Sequence, residues 1–327
     1  MNQKFKTSAC LLMLLLASFV TSSLQAQSVR SRGMGSAFIG LSNDESAIFY
    51  NPAGLSQIEG REASIQAKVN ERDTYEWQSF AFTGHIYESE QSTGFSIADY
   101  LEENILEEPM PRKPKYSYGM SYTMDKRPEA FGKVVGGSYS GLSTNVSDFQ
   151  LAFGTKFPVA KNLLAREQLY GGLKLRILDV DRKNVALGTQ KTRKSYSMGA
   201  GLIYHYNDRI TGGLVVDNLF EHLDDSNVAK DGISLNIGAA IKVAQGTTIS
   251  MDLLNITDSG KAYEQQYRVG VEKYFTENDF AVRIGSCNGT LSVGFGMNIM
   301  PNLRVDYSYY DGEKIPEHHV GAHFTFD

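Results

Sequence analysis

From about Arg61 to the C terminus, apolar and polar residues alternate with a period of two. The clearest run sets Ile233, Leu235, Ile237, Ala239, Ile241 and Val243 against Ser234, Asn236, Gly238, Ala240 and Lys242. Near the end, Leu291, Val293, Phe295, Met297 and Ile299 alternate with Thr290, Ser292, Gly294, Gly296 and Asn298. Leu303, Val305, Tyr307 and Tyr309 then alternate with Asn302, Arg304, Asp306, Ser308 and Tyr310. Strand side chains point to opposite faces in turn, so each run predicts a strand with one apolar face and one small, polar face. Counting such runs gives about 16 strands and no helical domain between them.

Two architectures use such strands. In a soluble sandwich the apolar face is the core, whereas in a membrane barrel it meets lipid and the polar face lines the interior. The connections favour the barrel. Short links at Asn207-Asp208-Arg209, Gln245-Gly246, Thr276 to Asn278 and Pro301-Asn302 alternate with longer polar ones. The longer ones run from Asp179 to Arg193, Phe220 to Asp231, Asn255 to Ala262 and Asp311 to Glu317. One rim of an outer-membrane barrel carries short periplasmic turns and the other carries longer external loops. The stretch from Pro158 to Glu167 breaks this rhythm. Tyrosines at 116, 118, 122, 204, 206, 307, 309 and 310 suit headgroup-level positions. The ending His323-Phe324-Thr325-Phe326-Asp327 resembles the aromatic C-terminal signal of bacterial outer-membrane barrels, shifted by one residue by Asp327.

Composition narrows the classes further. With 18 Tyr, 17 Phe and 42% hydrophobic residues the chain is not disordered, and with two Cys it is not a disulfide scaffold. The formal net charge is −5 and no basic block is present, which argues against a nucleic-acid partner. Residues 1–26 read as a cleaved signal peptide: Lys4 and Lys6, an apolar stretch from Ala9 to Val20, and Leu24-Gln25-Ala26 before the cut. Cleavage would remove Cys10, leaving Cys287 alone, and would take the net charge from −5 to −7. The expected location is the outer membrane of a Gram-negative bacterium.

Residues 27–60 do not alternate. They read as two short helical pieces, with Asn43 or Asp44 available as a cap for the second and Pro52 as its stop. A small, partly apolar segment ahead of a barrel has to be buried, and the lumen of the 61–327 barrel is the space available. The run from Gly33-Met34-Gly35 to Asn51-Pro52-Ala53-Gly54-Leu55, with the acid-containing loop at Asn43-Asp44, resembles the N-terminal hatch of the FadL/PorV-like superfamily. Val215-Val216-Asp217-Asn218-Leu219 and the last four strands share that look.

The resemblance implies an all-β transmembrane antiparallel barrel of 14 strands, within the 12–16 that the count allows, plugged by a helical hatch. Superfamily members include fatty-acid and aromatic-hydrocarbon transporters and the PorV and PorQ components of type IX secretion. Transporting members bind hydrophobic molecules between hatch and wall and release them sideways through a strand kink. Phe38, Ile39, Leu41, Ile48, Phe49 and Leu55 are then the hatch residues that can face a small hydrophobic ligand.

The predicted inward faces carry Lys174, Arg176, Lys242, Asp252, Arg268, Glu272, Arg283, Arg304 and Asp306. Both signs are present, so a network bracing plug and wall is expected rather than an ion filter. His318, His319 and His323 share the last strand. His319 and His323 are roughly 13 Å apart at strand spacing, too far to ligate one metal without other groups. No metal, cofactor or enzymatic site is expected. The acidic run Glu102-Glu103-Asn104-Ile105-Leu106-Glu107-Glu108 reads as a solvated external loop able to dock a partner. Two functions stay open. Passive uptake of small hydrophobic solutes would show an apolar pocket between hatch and wall, whereas a non-transporting secretion or envelope-assembly component would show a filled lumen.

Overall fold

The computed structural model describes residues 28–69, 76–87, 114–131, 140–158, 167–184, 189–224, 232–258, 264–275, 279–311 and 316–326. The signal segment and the acidic run Glu102 to Glu108 lie outside them. Fourteen strands form the wall. The first seven are β1 (Arg61–Val69), β2 (Glu76–Tyr87), β3 (Pro114–Phe131), β4 (Ser140–Phe157), β5 (Gln168–Asn184), β6 (Thr189–His205) and β7 (Ile210–Leu223). The rest are β8 (Ser234–Ala244), β9 (Thr247–Leu254), β10 (Gln266–Phe275), β11 (Phe280–Cys287), β12 (Thr290–Met300), β13 (Leu303–Tyr310) and β14 (Glu317–Phe326). Each pairs with its chain neighbours, and β14 closes the barrel antiparallel to β1 with Arg61 opposite Phe326.

The count of about 16 is corrected to 14, and one expected loop is shorter than its sequence suggests. Asp179 to Asn184 and Thr189 to Arg193 are strand rather than loop, because the β5–β6 ladder continues from Asp179 opposite Lys194 to Asn184 opposite Thr189. On β5 the outward face changes from Leu173, Leu175 and Ile177 to Asp179 and Asp181, which marks the strand leaving the bilayer while its hydrogen bonds persist. A crossing needs about 9–11 residues, and β3 to β6 have 17 or 18.

The wall is apolar outside and polar inside. On β5, Leu173 is 53% exposed while its neighbour Lys174 is 8% exposed. The short links at 206–209, 245–246, 276–279 and 301–302 share a rim with Arg61 and Phe326. Strand parity places Tyr87 and Pro114 at that same rim. The strands on either side of the undescribed stretch 88–113 therefore end and begin on the terminal side.

Three short helical pieces sit inside: α1 (Val29–Gly33), α2 (Ala47–Tyr50) and a 3-10 helix (Pro52–Gln57). Ser28 caps α1 by accepting from Ser31 N, and Asn51 caps the 3-10 helix by accepting from Ala53 N. The expected cap of α2 is not used. Ser46 occupies that position without a side-chain cap, because Asp44 accepts from Ser46 N within its own turn. Pro52 acts as expected: Asn51 before it is extended (φ −148°, ψ 104°), and α2 ends at Tyr50.

Inward-facing glycines record the plug's footprint on the wall. A Cβ at Gly119 would lie 2.6 Å from the Ile48 side chain, and one at Gly154 would lie 2.9 Å from Pro52 O. One at Gly294 would lie 2.9 Å from Gly33 Cα. Gly201 faces the Asn51 side chain and Pro52, and Gly285 faces the Met34–Gly35 backbone, each too closely for a Cβ. Close approach of this kind excludes side chains and fixes the depth of the plug. Gly201→Val should therefore overpack this contact at a cost of about 1–3 kcal/mol. The heat-modifiability midpoint on gels should fall by several degrees, whereas Gly212→Val, whose Cβ would meet nothing within 4 Å, should leave it unchanged.

Candidate functional site

The plug meets the wall through an apolar seat, a set of ion pairs and a small cavity beside Phe49. Phe38, Leu41, Ile48, Phe49 and Leu55 join Met34, Tyr50 and Ile58 in one buried cluster that reaches Ala81, Ala152 and Ala240 of the wall. Ile39 packs separately against Val215 and Leu254. Burying side chains of this size contributes roughly 1.5–3 kcal/mol each. Of the six residues expected to face a ligand, Phe49 borders the cavity and Leu41 borders a cleft at the terminal rim. The other four are enclosed between plug and wall.

Six charges, five of them buried and Arg304 half-buried, form a closed ring of alternating sign. Arg30 of α1 donates through Nε and Nη2 to Glu272 of β10 at 2.8 and 2.6 Å. Arg283 of β11 donates to the same carboxylate at 2.6 Å and to Asp306 of β13 at 2.7 Å. Arg304 of β13 donates to Asp306 at 2.8 Å and lies 3.9 Å from Asp44, which accepts from Arg30 at 2.7 Å. Asn43 adds a 2.9 Å acceptor for Arg30. Burial disfavours the Asp44 charge, but the Arg30 and Arg304 guanidiniums overcome it and hold its pKa below the ordinary carboxylate value. Asp44 therefore supports the plugged state fully above that ordinary value and loses its contribution as pH falls through the lowered one.

Of the remaining expected lumen charges, Asp252, Arg268 and Lys174 anchor other parts of the plug. Asp252 accepts from Phe38 N at 2.6 Å and Ile39 N at 3.0 Å, and Arg268 donates to Ser36 O at 3.2 Å. Lys174 pairs with Asp217 at 2.7 Å and donates to Phe49 O at 3.1 Å, while Arg176 pairs with Asp148 at 2.8 Å. Lys242 stands apart, exposed beside the cleft at the terminal rim. Among the motif residues, Gly35 has φ +62° and donates to Ser292 Oγ at 2.9 Å. Gly33 abuts Gly294, and Gly54 abuts the Ser42 backbone. Asn51 Nδ2 donates to Ile39 O at 3.2 Å and to Leu202 O of β6 at 3.0 Å, Pro52 begins the 3-10 helix, and Ala53 is buried there.

Sequence reasoning missed Arg30, Asp148 and Asp217. The signal for Arg30 was available: an arginine within a segment that must be enclosed requires acidic partners from the wall.

The cavity measures about 50 Å³ and lies between Phe49 and the β6–β7 wall. Its lining includes Lys174, Arg176, Asp217, Asn236 and Gln266 beside the apolar Phe49, Met198 and Leu254. The ladder slips register there, between Met198 and Ala200, and Asn218 takes a positive φ of 57°. Met198 has the strand parity of outward-facing Tyr196, so the cavity reaches toward the lipid side of the wall.

The P. putida toluene transporter TodX superposes with a TM-score of 0.59 at 10% identity, over 93% of this chain and 99% of that one. The Ralstonia pickettii toluene transporter TbuX gives 0.57 at 11% identity, over 93% and 100%. A Pseudomonas aeruginosa FadL homologue gives 0.54 at 11% identity, over 92% and 98%. This is the FadL/TodX outer-membrane barrel fold. No family profile and no curated protein sequence matches the chain, so the likeness to the FadL/TodX barrels is one of fold.

Removing one member of the buried ring leaves its partner charged and uncompensated, which costs about 3–5 kcal/mol. Arg30→Ala should lower the heat-modifiability midpoint and raise single-channel conductance in a planar bilayer as the plug loosens. Lys242→Ala, outside the ring, should change neither.

Proposed function

We propose that the protein is a passive outer-membrane channel that takes small solutes into the cavity beside Phe49 and releases them sideways at the β6–β7 register slip. The observation that carries this reading is the coincidence of cavity and slip. Met198, Asp217 and Asn218 line the cavity at the point where the ladder loses register. Outside that point Leu219 and Phe220 offer an apolar surface. TodX and TbuX, which share the fold, are toluene transporters, and that supports a hydrophobic component in the solute.

The lining refines the class. Charges and amides surround a few apolar side chains, so the fitting solute has a small apolar body and a polar group. A cavity of about 50 Å³ is smaller than such a solute, so the plug or the slip must yield during passage.

A second reading is favoured by the filled lumen. The apolar plug residues are seated and the charge ring is closed, as a non-transporting component of secretion or envelope assembly would have them. Proteoliposome uptake of a small aromatic alcohol separates the two. Transport predicts uptake faster than in empty liposomes and at least about tenfold slower with Met198→Trp, a loss of roughly 1.4 kcal/mol or more in passage. No uptake, together with a secretion-machine protein co-purifying through the loops, selects the second reading.

A further inference from the structure

Outside the charge ring, Glu45 of the plug, Glu62 of β1 and His323 of β14 converge, with their ligand atoms within 4.8 Å of one another. All three are at least nine-tenths buried, at 3%, 9% and 6% exposure. His323 Nδ1 lies 2.7 Å from Glu45 Oε2, and its Nε2 lies 3.7 Å from Glu62 Oε1. The nearer contact lacks hydrogen-bond geometry. Glu45 Oε2, Glu62 Oε2 and His323 Nδ1 have no hydrogen-bond partner among the described residues.

The ring balances itself, with Arg30, Arg283 and Arg304 against Asp44, Glu272 and Asp306. Glu45 and Glu62 add two carboxyl groups beside a single imidazole, and when both are ionised an imidazolium offsets only one of them. A divalent cation offsets both and leaves a neutral imidazole nitrogen to act as a ligand. Space and access are present. A cavity of about 10 Å³, enough for a single small particle, is lined by Glu45 and His323. Glu62 lines a cleft of about 500 Å³ that reaches Gly246 and the start of β9 at Thr247, on the terminal rim.

We propose that Glu45, Glu62 and His323 bind one divalent transition-metal ion of the Zn²⁺ class, which clasps the plug to both strands of the barrel seam. Zinc–oxygen and zinc–nitrogen distances of about 2.0–2.2 Å require donor atoms no more than about 4.4 Å apart, so closing the site takes a shift of a few tenths of an ångström. The spacing of His319 and His323 along β14 excluded a site built on that strand alone. The missing ligands come from β1 and from the plug, which only the closed barrel brings alongside.

The test is calorimetric titration of the EDTA-treated, folded protein in detergent with zinc sulfate. One ion should bind per chain and raise the heat-modifiability midpoint. His323→Ala should abolish both effects, and Glu62→Gln should weaken the binding. Absence of stoichiometric binding to the wild-type protein, or binding retained in both variants, overturns the proposal. Should His323→Ala fail to fold, X-ray absorption of the zinc-loaded wild-type protein decides instead. One imidazole with oxygen neighbours supports the site, and a shell without imidazole overturns it.

Discussion

The closed ring of Arg30, Glu272, Arg283, Asp306, Arg304 and Asp44 is the constraint on which the rest of the interior depends. A barrel with lipid outside must turn its polar face inward, and a lumen of charges isolated from water is costly unless each charge is paired. Four ring members come from β10, β11 and β13, and two come from the plug. The wall's four supply two of each sign and the plug's two supply one of each, but Glu272 and Arg304 complete their pairing only through Arg30 and Asp44. Buried pairs of this kind specify geometry more than they add stability. Net stabilisation comes from the apolar seat around Phe38, Ile48 and Leu55.

Glycine sets the distance at which both operate. Gly33 against Gly294, and Gly35 against β11, bring α1 close enough for Arg30 to reach Glu272. At the other end the turn at Asn51-Pro52 rests on Gly154, Gly172 and Gly201. Between these supports the plug is spanned by Asp252, which holds the amides of Phe38 and Ile39. Beside Phe49 the β6–β7 ladder slips register between Met198 and Ala200 against a cavity, and passage is proposed there.

The wall was legible in the sequence because lipid outside and plug inside impose opposite chemistries on alternate residues. The runs around Ile237, Phe295 and Val305 follow β8, β12 and β13. What misled was the region beyond the bilayer, where the outward face of β5 becomes Asp179 and Asp181 and strand resembles loop. The hatch motif pointed to Asn51 and Pro52, whose roles are local. Glu45 and Glu62 left no such trace, and His323 was weighed only against its neighbours on β14. Their partners lie far away in sequence, and only barrel closure, with β14 against β1, brings them together.

Hydrogen exchange of the plug amides in the folded protein is the most direct test of a plug locked to its wall. If the charge ring and the glycine footprint hold residues 29–58 in place, those amides exchange as slowly as the paired amides of β10 and β11. Rapid exchange throughout the plug, while the barrel amides stay protected, would contradict it.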